Sequence, residues 1–269
     1  MPIDTSSYYP EVPDPEGKDD GYSLNNRDSG LFEEKNMNED IPILEIASSD
    51  PVNVLEQPPR EEGKLEKVIS LFANFLSWIF VPLLMPVYGL ILAFGLSVLE
   101  VVPMGMRVRF VLITFGINFI IPVLLVLLLK FLGFVDDIGL NGRKERLIPY
   151  VITALCMGGT AWFMAMRGAP VWLSMFFAGG ALAALINLSV NMKWKISAHA
   201  AGIAGIIALL IRIERDSIAQ PQLFVWLLIA IGMTGLLGSA RIWLGRHTLW
   251  QILAGYVVGF CSVFFLMAI

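Results

Sequence analysis

The chain has only two histidines, His199 and His247. Each opens an apolar run, and each lies in a short cluster of small, hydroxyl and basic residues. The first cluster reads Lys193-Trp194-Lys195-Ile196-Ser197-Ala198-His199-Ala200-Ala201-Gly202. The second runs from Ser239 through Arg241, Arg246, His247 and Gln251 to Gly255. A lone histidine at a helix end is ordinarily a satisfied polar group. Ionisable groups at membrane depth are costly, however, so two of them set among guanidinium, ammonium and hydroxyl groups point to chemistry. Ser197 suits the N-cap of the helix that follows, whose unpaired amides and positive dipole end would face an anion. A helix beginning near His247 puts Gln251 on the same face at i, i+4. The Gln251 amide would then fix the imidazole tautomer and leave the other nitrogen to attack. A third cluster, Arg143-Lys144-Glu145-Arg146, precedes Pro149 and the next apolar run. Alone it reads as a basic interfacial anchor. With the other two it makes an anion site at a membrane surface, the arrangement that phosphoryl transfer needs. Guanidinium forks and helix N-termini hold phosphoryl oxygens, one imidazole attacks phosphorus and the other protonates the leaving oxygen.

No cluster of His, Cys and carboxylates has metal-ligand spacing, so neither a metal nor another cofactor is expected. Cys156 and Cys261 sit inside apolar runs and read as small packing residues. Two histidines on adjacent helices can also ligate haem iron, but the surrounding Arg and Lys suit an anion better.

The elements that must position these groups are apolar helices. Of the 269 residues, 56% are hydrophobic and 16% charged, and the mean hydropathy is +0.69. A soluble domain carries about 25% charged residues. Beyond Lys64 come long apolar runs of the ~20 residues that cross a bilayer. Seven candidate spans cover Val68–Leu99, Phe110–Val135, Ile148–Met166, Val171–Leu188, Ala198–Ile211, Leu223–Leu244 and Thr248–Ala268. The expected fold is all-α, a polytopic transmembrane helix bundle of six to seven spans in an integral membrane protein, residues 64–269. Pro82 and Pro86 predict a kink, or an interfacial start, in the first span. Glycines crowd the later spans and predict close helix packing. Residues 1–63 are rich in proline and carboxylates and lack apolar periodicity, which predicts a disordered acidic tail; nothing there reads as a cleavable signal peptide, and Met37 offers a second start. With seven spans, the loops Asp136–Arg146, Asn191–Ser197 and Arg241–His247 share one face. Arg107, Arg109, Arg167, Arg212 and Arg215 fall on the other. Because basic residues lie on both faces, the positive-inside comparison does not assign sidedness.

These motifs resemble the type 2 phosphatidic acid phosphatase family, which shares its helical core with the vanadium haloperoxidases. Its third motif is Ser-Arg, five residues, His, three residues, Asp; Arg241, His247 and Gln251 reproduce that spacing. Ser197-Ala198-His199 is similar to the second motif, Pro-Ser-Gly-His, and two spans separate the pair, as in the family. Ala254-Gly255 and Gly259 also match the pattern after the third motif. The likeness is good from Lys193 to the end of the chain and loose before it. Gln251 stands where most members have Asp, as in the His-Thr-x-x-Gln motifs of the dolichyl-diphosphatase branch, and Ser239 is one residue too far from Arg241 for the adjacent pair. Lys, six residues, Arg-Pro is missing, and Arg143 through Pro149 is the nearest substitute. The resemblance implies a metal-independent lipid phosphatase. His247 would be the nucleophile, forming a phosphohistidine, and His199 the general acid. Arg241, Ser197, Arg143, Lys144 and Arg146 would bind phosphate. The implied partners are the bilayer and a lipid phosphate or polyprenyl diphosphate, with no nucleic acid. The competing expectation is a family member that has lost its chemistry and serves as a membrane scaffold.

Overall fold

A computed structural model describes residues 63–133, 147–215 and 222–268. The tail expected over 1–63 lies outside these residues save for Gly63, as do Arg143, Lys144 and Arg146. The described residues form no strand. Their helices are α1 (Lys64–Ile79), α2 (Met85–Leu96), α3 (Met104–Phe131, with a π turn at Gly116–Ile120), α4 (Leu147–Met166), α5 (Val171–Lys193), α6 (Ala198–Arg215), α7 (Leu223–Trp243) and α8 (Leu249–Leu266). Among the described residues, six helical segments are long and apolar enough to cross a membrane, with α1 and α2 counted together as Lys64–Leu96. The protein is thus an all-α, polytopic membrane bundle. α6, expected as a span over Ala198–Ile211, is not among these six, and its last turns carry Arg212, Glu214 and Arg215.

Proline chemistry shapes the first two spans. Pro82 has no amide to offer the Trp78 carbonyl, and its ring drives Val81 out of the helical region, to φ −59° and ψ 135°. The span expected as Val68–Leu99 therefore breaks into α1, a 3₁₀ turn at Pro82–Leu84, and α2. Pro122 is absorbed differently: the π turn just before it pairs the Ile121 amide with the Gly116 carbonyl and keeps α3 continuous. Asn118 in that turn is buried and donates to Thr160 Oγ1 at 2.8 Å, tying α3 to α4. α3 starts six residues earlier than expected, at Met104 rather than Phe110. Its Arg107 reaches back to the Val102, Phe94 and Glu100 carbonyls and so caps the end of α2.

α6 occupies the middle. Ala200, Ala201, Ile203, Ala204, Gly205, Ala208 and Leu209 are all buried, and it packs against α2, α5, α7 and α8. Small residues let this happen. A Cβ added at Gly259 would collide with the Ala201 backbone, and one at Gly255 would come within 2.5 Å of the Ser197 carbonyl. At Gly179 a Cβ would lie 2.7 Å from the Val263 backbone. α8 is therefore in backbone contact with both α6 and α5, which lipid cannot drive by hydrophobicity but close packing can. At one end of the bundle stand the α5–α6 and α7–α8 turns. At the other, Arg212 Nε donates to the Met267 carbonyl at 3.0 Å.

Gly259→Leu should abolish the monodisperse folded protein in detergent, because Ala201 backbone must move to admit it. Gly235→Leu, where nothing lies within 4 Å of an added Cβ, should leave the size-exclusion profile and melting temperature nearly unchanged.

Candidate active site

Ser197 begins the site. It is fully buried, and its Oγ accepts from the Ala200 amide at 3.3 Å, capping α6. Its own amide donates to the Gln251 carbonyl at 3.2 Å. The start of α6 is thus pinned to the start of α8, just where Gly255 lets the two backbones meet.

The spacing of Arg241 and His247 has a local cause. α7 ends in a Schellman turn: the Gly245 amide donates to the Ile242 carbonyl at 2.9 Å and the Arg246 amide to the Arg241 carbonyl at 3.1 Å. Gly245 has φ +62°, a conformation that suits glycine. The His247 amide bonds the same Arg241 carbonyl at 3.3 Å. Five intervening residues therefore fold the chain back and seat His247 beside the turn that carries Arg241.

Gln251 then decides the tautomer of His247. Its Oε1 accepts the Thr248 amide at 3.2 Å, as the glutamine of an N-terminal capping box does. An atom accepting from a backbone N–H must be the amide oxygen, which fixes which way the Gln251 head points. The same Oε1 lies 3.2 Å from His247 Nδ1, so Nδ1 carries a proton, and the neutral ring would have its lone pair on Nε2. His247 is 6% exposed.

His199 is placed otherwise. Its Nε2 lies 3.2 Å from the Ser77 carbonyl in the last turn of α1. A carbonyl only accepts, so Nε2 carries the hydrogen. The last carbonyls of a helix lack intrahelical donors; His199 meets that of Ser77, and the Tyr88 hydroxyl that of Ile79 at 3.0 Å.

Ser197 and Arg241 line one gap together with Ala200, Leu237, Gly238, Ile252 and Tyr256, and it is closed even to water. The structure thus unites Ser197, Arg241, His247 and Gln251 around the α6–α7–α8 meeting point and turns His199 toward α1. Ser239, beside Arg241 in sequence, is exposed. Among the described residues, no group of three His, Cys, Asp or Glu side chains comes together as a metal site would need.

Two elements were not singled out from sequence. Tyr256 donates to the Thr234 carbonyl at 2.6 Å, tying α8 to α7 across the gap. Asn187 and Asn191 are buried on α5. α5 runs antiparallel to α8, since Gly179 meets Ser262 and Val263 while Ser197 reaches Gln251; the two asparagines therefore sit on its site-facing end. Their i, i+4 spacing in an apolar span was the available signal.

No family model, curated protein or solved structure matches this chain.

Gly245→Ala should cost roughly 1–2 kcal/mol, from backbone strain alone, because open space surrounds the position. A melting curve in detergent checks it; an unchanged midpoint would contradict the left-handed turn.

Proposed function

We propose that the protein is a membrane-embedded phosphatase acting on a lipid phosphate or diphosphate through His247. The observation that carries this reading is the two-point hold on the Gln251 oxygen. It orients the imidazole through Nδ1 and so supports Nε2 as the attacking nitrogen, in a ring set between the turn that carries Arg241 and the start of α8, which is pinned to the capped start of α6. Nε2 attacks phosphorus, the bond from phosphorus to the leaving oxygen breaks, and that oxygen takes the proton of His199. Water then attacks the phosphohistidine and gives a proton to His199; the N–P bond breaks, phosphate leaves, and the His247 imidazole and the protonated His199 are restored. Arg241 and the α6 N-terminus hold the phosphoryl oxygens while charge builds on them. Arg143, Lys144 and Arg146, which precede α4 in the sequence, are proposed as further anion contacts. The resemblance to type 2 phosphatidic acid phosphatases supports the same assignment.

A second reading keeps the fold without the chemistry. One specific observation favours it: Ser197, Gln251 and His199 each satisfy backbone groups at a helix end, which is reason enough for a scaffold to have them.

Phosphate release from a panel of lipid phosphates in detergent separates the two. On the phosphatase reading, His247→Ala abolishes release, and His199→Ala lowers it by about 10²–10⁴-fold, as loss of a general acid does. Vanadate inhibits and EDTA does not. Release unaffected by His247→Ala, or absent from the wild type with every lipid, contradicts the reading.

Gln251 supplies an independent check. Gln251→Ala loses both the cap and the imidazole's orientation, and turnover falls with it. Gln251→Asp keeps an acceptor and favours imidazolium, so the acidic limb of the pH–rate profile moves to higher pH. A Gln251→Ala profile that overlays the wild type reduces Gln251 to a helix cap.

A further inference from the structure

His247 is 6% exposed, Ser197 is fully buried, and the gap that Ser197 and Arg241 line excludes water. No phosphoryl group reaches this site unless an element moves. α5, α6 and α8 are held by backbone contacts at Gly179, Gly255 and Gly259. α1 is held differently. It packs chiefly on α7, through Ala73 and Leu76 against Leu237, Ala240 and, on α6, Ile203. Two hydrogen bonds to α6 and α7 add to this, Trp243 Nε1 to Ser70 Oγ at 3.1 Å and His199 Nε2 to the Ser77 carbonyl at 3.2 Å, while the Tyr88 hydroxyl holds the Ile79 carbonyl from α2. Between α1 and α2 lies the broken stretch Phe80–Leu84, where no continuous helical ladder resists bending.

We propose that α1 is a lid on this site, which closes it by clamping α7 onto α6 and occupying His199, and which opens about the Phe80–Leu84 break. Leu237 is the link, since it seats α1 on one side and walls the gap on the other. α7 touches α8 sparingly, with the Tyr256–Thr234 bond between them, so α7 can shift once α1 lets go. The His199 bond makes opening functional: the N–H that would protonate a leaving oxygen is spent on the Ser77 carbonyl while α1 is docked. Lid release therefore frees the Nε2–H of His199 to face a leaving oxygen. The outer side of α1 exposes Leu65, Leu71, Phe72, Phe75 and Trp78. That apolar face stays among acyl chains as the helix swings, so the motion strands no apolar surface in water.

The effect on turnover rests on the phosphatase reading, but the motion can be tested without it. In the full chain carrying Cys156→Ala and Cys261→Ala, Ser197→Cys reports opening through its rate of reaction with a water-soluble maleimide. Ala208→Cys, fully buried at mid-bundle, controls for general loosening. Leu76→Ser removes the central contact of the lid and should speed labelling at position 197 by at least about tenfold, the scale of losing a buried leucine. Trp243→Phe, a milder change, should speed it several-fold, while the control stays unlabelled. Equal rates at position 197 in the parent and Trp243→Phe, with Leu76→Ser either equal or unfolded, would overturn the lid. Faster labelling also at Ala208→Cys would overturn it, since the whole bundle would then be loosening. In the Ser197 background the same lid variants should raise phosphate release. If labelling accelerates at position 197 alone and no lipid phosphate is hydrolysed, the lid stands and the phosphatase reading falls.

Discussion

The close crossing of α6 and α8 is the constraint on which the rest depends. Gly255 and Gly259 place α8 against the backbone of Ser197 and Ala201, and no larger residue fits. Because that contact is made by backbone, its geometry has little slack: the start of α6 and the start of α8 are fixed together, and the Ser197 amide is bonded to the Gln251 carbonyl. Van der Waals packing of this kind is the main cohesive force between helices in lipid. Polar groups at the end of the bundle take their positions from it. Ser197 can cap α6 only where it stands, and Gln251 can reach both the Thr248 amide and His247 only because α8 begins where it does.

From that crossing the site follows in short local steps. The Schellman turn returns the chain from Arg241 to His247, and the capping box presents the Gln251 oxygen to the ring. Each step satisfies backbone groups that helix ends leave unpaired. Folding and the proposed chemistry would therefore be served by the same hydrogen bonds. This explains how a neutral glutamine orients the imidazole without the charge of an aspartate: its oxygen is held by an amide at 3.2 Å and meets Nδ1 at 3.2 Å.

Much of this was legible in the sequence because it depends on short spacings. The i, i+4 relation of His247 and Gln251, the Ser197 cap and the glycines of α8 are local patterns with one geometric solution each. The helical spans followed from hydropathy, since a bilayer demands intrasegment hydrogen bonding over a fixed length. What escaped depends on contacts between distant segments. Nothing near His199 announces that its partner is the Ser77 carbonyl, because that bond exists only after α1 breaks at Pro82 and folds onto α7. The prolines forecast a kink but not its direction. Asn118 and Pro122 gave no warning of a π turn, which arises from the need to keep α3 continuous past a missing amide. Tyr256 looked like one more aromatic residue in an apolar helix until its hydroxyl met the Thr234 carbonyl.

The proposed chemistry stands or falls on whether His247 carries the phosphoryl group. A rapid acid or alkali quench of the protein turning over a ³²P-labelled lipid phosphate, followed by peptide mapping, reads this out. A phosphohistidine mechanism predicts a transient label that survives alkali, is lost in acid, and maps to the peptide containing His247. Turnover with no such label, or with the label on another residue, would contradict it.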